Sequence, residues 1–567
     1  MNIRKRLGLG FISSALARLL ITPRQFLQFG HRNTELSTAE RTDLDSYATW
    51  HKSYSSCNAD SQGDKVFLIL SLMPLSYCLK MEGLVAKAMQ QRGYRVVVVT
   101  NLECQSLVEH YHVQLNGLET LVIEDFLSIL SLRHILSVFR GFFSNSEKLI
   151  EDTKKFQYCG SNIGLNSLAT LSAKADVGLG GLNLSSKIEL KRILLRSVFL
   201  LDSANRLMKL LKPMKALSME KGFVGTCELF HAAINNQIPF VQWIGCHEPN
   251  SIMFKKYSKG NVREHPFSIS SGQWDEIKEM SWSENYADKV MQQFKRGYSE
   301  GQWFLYKNLT TNQKELDREN LIKKLGLNPE LKTAIIYSHI LNDANLFYGE
   351  DLFGGGFKEW LVETVRMAAR NPNVNWVLKL HPANIGRKNN FQKTGKYGEL
   401  LALESAFGKI PDFLTVVYPD EATSPLSFFS ITDFGITVRG TVGMELPCFG
   451  TPTLTAGTGR YSGRGFTVDS LSRDDYFHKL LNIHKIPRLS SEQIKLGQRY
   501  AYFVFRVRPA RYGDMFVDEH IVSGNARRRD LKFDGISASN IFEHKQMRNI
   551  TDFLCSSEED FLDFDYV

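Results

Sequence analysis

Two short, unbroken apolar runs constrain this chain more than any other feature. Val66 to Leu72 reads VFLILSL and Arg95 to Thr100 reads RVVVVT, with a helical stretch from about Lys80 to Arg92 and then Gly93 between them. A strand with one wet face alternates in polarity. These runs do not alternate, which marks strands buried on both faces, as in a parallel sheet. Strand, helix, strand in that order is a β-α-β unit with a right-handed crossover. The turn after the first run, MPLSYC, lacks the G-x-G-x-x-G fingerprint, so a dinucleotide is not expected there.

The same grammar recurs. Through residues 117–245 it is less clear, but Ala216–Met219 and Pro239–Trp243 read as strands flanking a helix over about 226–236. Residues 260–310 are charged and contain Trp and Tyr, and read as a connection. A second series then begins, with strands at 333–338, 375–380, 413–418, 433–438 and 452–455. Helices are expected at 357–370, 425–431 and 442–449. The chain therefore reads as two successive open α/β domains, at 65–305 and 306–490, followed by a C-terminal segment, 491–567. Residues 33–64 are polar and largely without periodicity, and read as a linker. Ahead of it, residues 1–32 combine Arg4, Lys5 and Arg6 with Leu7, Leu9, Phe11 and Ile12, a basic amphipathic helix. Arg18 interrupts its apolar stretch, so an uncleaved helix is expected rather than a signal peptide. Such a helix can lie on an anionic membrane or pack on the protein itself.

Composition enters as exclusion. The 567 residues are 43% hydrophobic and 23% charged, which excludes a disordered or fibrous chain. The net charge of +9 is too small for this length to argue nucleic-acid binding, though it suits small anions or a membrane surface. Eight scattered cysteines without C-x-x-C or Cys/His metal spacing argue against a disulfide framework or a zinc site and favour a reducing compartment. A cytoplasmic location is expected, with the inner face of the membrane as a peripheral alternative.

In open α/β sheets, ligands bind beyond the carboxyl ends of the strands. Three motifs of the second domain fall there. Lys379-Leu380-His381-Pro382-Ala383-Asn384 ends a strand with an imidazole that can meet a phosphate or a base. A structural histidine before a turn fits equally well. Arg439-Gly440-Thr441, followed by Val442-Gly443-Met444-Glu445, turns from a strand into a helix whose free N–H groups favour phosphate. Glu445 can accept from ribose hydroxyls or simply sit as an acid in a first helical turn. Ala456 to Gly465, AGTGRYSGRG, is a cationic glycine-rich loop suited to clamp a diphosphate, with Arg460 inside it. After the domain's first strand, SHILNDAN offers Asn342 and Asp343 to a sugar.

The ordered set WVLKLHPAN, TVRGTVGMELPCFGTPTLTAGTGRYSGRGFTVDS and SHILNDANLFYGEDLF resembles the bacterial capsule polysaccharide synthesis family, similar in architecture to GT-B glycosyltransferases and including Kdo transferases. The resemblance covers about residues 330–490, and the first half only in layout. It implies two Rossmann-like domains facing across a cleft, with helical terminal additions and a final segment crossing back to the first domain. It also implies a nucleotide-sugar site in the second domain carried by Lys379, His381, Arg439 and Thr441, with no cofactor and no required metal. The expected activity moves a sugar, Kdo among the candidates, from a CMP-, UDP-, GDP- or CDP-linked donor to a glycan or glycolipid acceptor. An inverting transfer needs a carboxylate to take the acceptor's proton, and Glu220, after a strand of the first domain, is the candidate. His247, in IGCHEPNS, is a second acceptor-side option, and either residue can equally be structural. A polyol-phosphate transferase using CDP-glycerol, a nucleotide-sugar 2-epimerase and a non-catalytic assembly subunit stay open as alternatives.

Overall fold

The computed structural model describes residues 38–52, 64–128, 132–175, 182–299, 314–341, 345–382, 384, 396–512, 517–523, 526–532 and 543–566. The expected N-terminal helix at 1–32 and the pair Asn342 and Asp343 lie outside them.

Strands β1 (Val66–Leu70), β2 (Arg95–Thr100), β3 (Glu119–Val122), β4 (Lys215–Ser218), β5 (Phe240–Gly245) and β6 (Ser251–Tyr257) lie in the first sheet. The second sheet holds β7 (Lys332–Tyr337), β8 (Val374–Lys379), β9 (Leu414–Val417), β10 (Phe434–Thr437), β11 (Thr453–Thr455) and β12 (Val468–Asp469). A late strand, β13 (Ala510–Arg511), returns to the first sheet. The first sheet runs β13-β6-β5-β4-β1-β2-β3, and the second β12-β11-β10-β7-β8-β9. Every pairing in the second sheet is parallel. In the first, only β6 and its partners are antiparallel. Read from one edge, the second sheet has the 3-2-1-4-5-6 order of a Rossmann fold, and the parallel part of the first has 3-2-1-4-5. These are two Rossmann-like units, the GT-B-like layout expected from the sequence.

The apolar runs form strands because both their faces are covered. Phe67 and Ile69 pack into one core with the helix Ser76–Gln91, while Leu68 and Leu70 pack into another with the long helix Leu184–Leu211. The segment 33–64, expected as a linker, contains a helix at Thr38–Lys52. Among its described side chains, Leu44 and Tyr47, one turn apart, pack inward. Tyr47 is buried in the first unit's core beside Tyr111, 5.8 Å between ring centres. The connection at 260–310 likewise holds helices Ser271–Glu279 and Glu284–Tyr298, capped by Ser270 and Ser283. The helix expected at 442–449 is one α-turn, Val442–Glu445, tightening into a 3-10 turn, Leu446–Phe449, that contains Pro447. A single turn has little macrodipole, which weakens the helix-terminus argument for phosphate at Thr441.

The C-terminal residues tie into the first unit. Asp560 is buried against Lys255 at 2.9 Å and Arg508 at 3.0 Å, and accepts from the Ser270 N–H at 2.6 Å. Arg508 also donates to the carbonyls of Pro266, Ser268 and Phe254. Burial opposes the Asp560 charge, but the two cations outweigh it and hold the carboxyl below its ordinary value.

Candidate functional site

The strand order of the second sheet reverses between β7 and β10, and doubly wound sheets bind their ligands in the crevice at the carboxyl ends beside such a reversal. His339 follows β7 and sits in that reversal. Its Nε2 accepts from the Val438 N–H at 3.1 Å and lies 3.0 Å from Thr437 Oγ1, while its ring stacks on Phe357 at 4.2 Å. Burial, with His381, Arg439 and Arg460 nearby, pushes its pKa far below the usual histidine value. It is a neutral spacer holding two strand tips in register.

The loop after β8 is held by a buried carboxylate. Glu399 Oε1 accepts from Asn384 Nδ2 at 2.6 Å and from Ser338 Oγ at 3.2 Å, and Ser338 Oγ in turn accepts from the His381 N–H at 3.0 Å. His381 is thus fixed at the crevice, half-buried, by its backbone. Lys379 takes another direction. Its ammonium lies 5.0 Å from the Phe428 ring, under the helix Pro425–Ile431, and burial lowers its pKa to about 8.

Arg439 is only 3% exposed, and its guanidinium is committed to loops. It pairs with Asp351 and donates to the carbonyls of Thr458, at 3.1 Å, and Glu350, at 3.4 Å. Where the sequence suggested a phosphate contact, the structure has a strut between two loops. Gly440 follows it in the chain. Its N–H donates to Thr437 Oγ1 and its carbonyl accepts from Tyr461 at 2.8 Å. Thr441 opens the short helical turn, its carbonyl accepting from the Met444 and Glu445 N–H groups.

The unfilled capacity lies one step further in. Arg460 is 9% exposed, and one of its nitrogens, Nη1, donates to the Arg439 carbonyl at 3.3 Å. Its Nε and Nη2 are buried without a hydrogen-bond partner. Glu445 is fully buried. Its Oε2 accepts from Tyr298 at 2.6 Å, but Oε1 has no partner. Burial raises its pKa to about 7, against the pull of the Tyr298 and Thr441 hydroxyls and of Arg460. Buried donors and acceptors are almost always satisfied, so a cation and a carboxylate with open valences in one place mark room for a polar ligand.

The first unit closes this space. His247, after β5, packs between Phe267 at 4.6 Å and Phe505 at 4.7 Å. Burial, with Arg460 and Arg508 close by, keeps it neutral. His265, which no motif singled out, donates its N–H to the Gly459 carbonyl at 2.8 Å and is held neutral by burial beside Arg460 and Arg439. Arg263 reaches across to Glu350 at 2.6 Å, and the Gly349 N–H returns to the Arg263 carbonyl at 2.7 Å. The carboxyl ends of the two sheets therefore face one another, joined along 262–267, 346–351 and 457–460. Glu220 stands apart from this cluster. Its Oε1 accepts from the N–H groups of Lys221 and Gly222, both at 2.7 Å, which fastens its own turn after β4.

Of the expected residues, the structure gathers His381, Gly440, Thr441, Glu445, Arg460 and His247 around the crevice, with Arg439 as their strut. Lys379 and Glu220 are directed elsewhere. Asp351, His265, Glu399 and Tyr298 were not anticipated. Only Asp351 lay in a quoted motif, YGEDLF, and nothing local marks the others.

No family model matches the chain, and no curated protein matches it. Similar solved structures include a beta Kdo 2,4 transferase, KpsC of Thermosulfurimonas dismutans, at 13% identity over 58% of this chain and 87% of that one, TM-score 0.31. A UDP-GlcNAc 2-epimerase from Neisseria meningitidis, bound to UDP-GlcNAc, has 12% identity over 77% of this chain and 95% of its own, TM-score 0.24. Acinetobacter baumannii MurG has 11% identity over 77% and 94%, TM-score 0.26. Likeness at this level is too slight to transfer a reaction or a residue role.

Proposed function

We propose that this chain is a glycosyltransferase that takes a sugar from a nucleotide donor and passes it to a bacterial surface polysaccharide or its lipid-linked primer. One observation carries the reading: Arg460 and Glu445 hold open hydrogen-bonding capacity, buried, at the switch point of a Rossmann-like sheet. The guanidinium complements a phosphate, and the carboxylate complements sugar hydroxyls. A nucleotide sugar offers both.

In this reading Arg460 meets charge that develops on the departing phosphate. A preorganised cation in a water-poor site acts there more strongly than it can in bulk water. His339, Arg439 and Asp351 keep the strand tips and loops from relaxing away from it. The joined units exclude water, which competes with the acceptor as hydrolysis. His381 lies at the crevice as a donor to the leaving group. The resemblance of the 376–384 and 437–470 motifs makes CMP-Kdo the first donor to try. A specific observation also favours a membrane surface as the workplace. Leu136, Phe139, Phe143, Leu184 and Ile188 are all exposed, as are Arg133 and Arg140. The turn before Ser146 is tied to the Leu184–Leu211 helix by Lys187 on the Ser144 carbonyl and Lys191 on the Arg140 carbonyl.

The test is calorimetric titration with CMP, CDP, UDP and GDP. One nucleotide should bind, and Arg460→Met should weaken it about tenfold or more, the worth of a lost charge-assisted hydrogen bond. The preferred base then selects the donors for transfer assays. Equal affinity in the variant would remove Arg460 from the phosphate site and the reading with it.

A further inference from the structure

A second cavity, of about 770 Å³, lies away from Arg460 and Glu445, on the flank of the first unit. It is bounded by the helices Ile163–Ala175 and Cys227–Asn235 and the loop after β6, and Phe347 of the second unit closes one side. Lys221, Lys259 and Arg263 line it, and among the described residues no Asp or Glu does. The rest of the wall is rich in side-chain amides and hydroxyls, such as Asn162, Asn235 and Gln237.

Lys221 makes the cavity unusual. It is 2% exposed, and its ammonium donates to the Val262 carbonyl at 2.8 Å. Around it stand aromatic rings, Tyr257 at 4.4 Å and Phe230 and Tyr348 each at 4.7 Å. Among the described residues it has no ion pair. An ammonium carries three donors, and a buried cation with no carboxylate in contact is costly even with Glu220 and Glu264 nearby to favour its charge. Cation–π contacts recover part of that cost. The remainder falls to whatever occupies the cavity. Arg263, at the same wall, has a buried Nε with no hydrogen-bond partner. The Arg263 charge is matched by Glu350, which leaves its Nε–H as an open donor beside the Lys221 ammonium, and an anion suits both. The amide-lined wall calls for a ligand with many hydroxyls, and the volume exceeds what a bare inorganic ion would fill.

We propose that this cavity binds an anionic saccharide, a sugar unit carrying a carboxylate or a phosphate, with Lys221 as its counter-charge. The inference rests on the cavity alone and stands whether or not Arg460 binds a nucleotide. Because Phe347 and Arg263 belong to the junction of the two units, an occupant touches both, and its binding holds them together.

The groups facing Lys221 give the pH dependence its sign. They are Glu220 on its own turn, His231 on the neighbouring helix, Lys255 and Tyr257 on β6, Arg263 and Glu264 after it, and Tyr348 from the second unit. Burial lowers the Lys221 pKa to about 7 and that of His231 to about 4. Above about pH 4 His231 is neutral, so around neutrality the lysine is the group that changes charge, and anion affinity falls as pH rises through it.

The experiment titrates the full chain with D-glucuronate, glucose 6-phosphate, D-glucose and inorganic phosphate at about pH 6 and again at about pH 8. One or both sugar anions should bind about tenfold more tightly than glucose, and more tightly at the lower pH. Which of the two binds tells carboxylate from phosphate. Lys221→Met, which keeps the buried stem, should cost about tenfold in anion affinity while leaving CMP, CDP, UDP and GDP titrations unchanged. Should that variant misfold by circular dichroism, Gln237→Glu carries the test. Residue 237 is exposed on the wall, and a carboxylate there should weaken the anions several-fold. Glucose binding as tightly as the anions, free phosphate binding as tightly as glucose 6-phosphate, absence of binding at about 10 mM, or unchanged affinity in a folded variant each overturns the proposal.

Discussion

Glu445 sets ligand binding against stability. A carboxyl with a pKa of about 7 when folded and an ordinary value when unfolded binds more protons in the folded state between those two values. Stability must therefore fall as pH rises through that window, and the loss is complete above about pH 7. Glu445→Gln removes the titration. Without ligand, wild type and variant should melt alike relative to each other below about pH 5. Above it the variant should gain steadily, by up to on the order of 3 kcal/mol. Thermal melts across that range check it, and a constant offset at every pH would mean the carboxyl is not charged at a cost. In nucleotide titrations the same variant should bind more weakly, having lost the open acceptor. The site was partly legible at this scale. A glycine-rich loop with two arginines announced a cation at 460, but not that Arg439 would be spent on Asp351, 88 positions earlier. Nor does Glu220-Lys221-Gly222 reveal that its lysine, and not its glutamate, is the buried one. Side-chain direction at a turn is decided by distant contacts such as Phe347 on Gly222, which local sequence does not contain.

The elements were legible wherever burial on both faces left an unbroken apolar run, which is why β2 and the helix Pro425–Ile431 appear at the expected residues. They were obscure where a mostly polar segment is helical, as at Thr38–Lys52. The turn at 442–449 misled because its apolar periodicity is helical while Pro447 breaks the ladder. What shapes this turn is a close approach. A Cβ on Gly443 would lie 2.0 Å from the Tyr461 hydroxyl, which is buried and bonded to the Gly440 carbonyl. Gly443→Ala must displace the tyrosine and the adjacent Arg460. Overpacking of this kind costs about 1–3 kcal/mol. The variant should therefore melt lower and bind nucleotide more weakly, whereas a cavity-creating change at Tyr461, such as Tyr461→Phe, should leave the backbone path intact and cost about 1 kcal/mol. If Gly443→Ala is neutral in both assays, the crevice is not shaped by that contact.

At the scale of the whole molecule, the C-terminal residues anchor Asp560 in the first unit while the second unit is joined along 262–267. The proposed membrane contact rests on the exposed Leu136, Phe139, Phe143, Leu184 and Ile188. Phe143 is 97% exposed. Large apolar side chains set among arginines on a folded surface are the chemistry of an interface with anionic lipid, where apolar insertion and about 1 kcal/mol per basic residue act together. The chain should sediment with vesicles containing phosphatidylglycerol and not with phosphatidylcholine alone, and added salt should weaken the association. The double substitution Leu136→Ser, Phe143→Ser removes two of the inserting groups at exposed positions, where folding is least affected. It should reduce vesicle binding several-fold while leaving nucleotide titrations unchanged. Vesicle binding that survives the substitution would assign the membrane contact to another part of the chain, with the basic segment at 1–32 the next to remove. Absence of binding by the wild-type chain would leave a polysaccharide in solution as the acceptor.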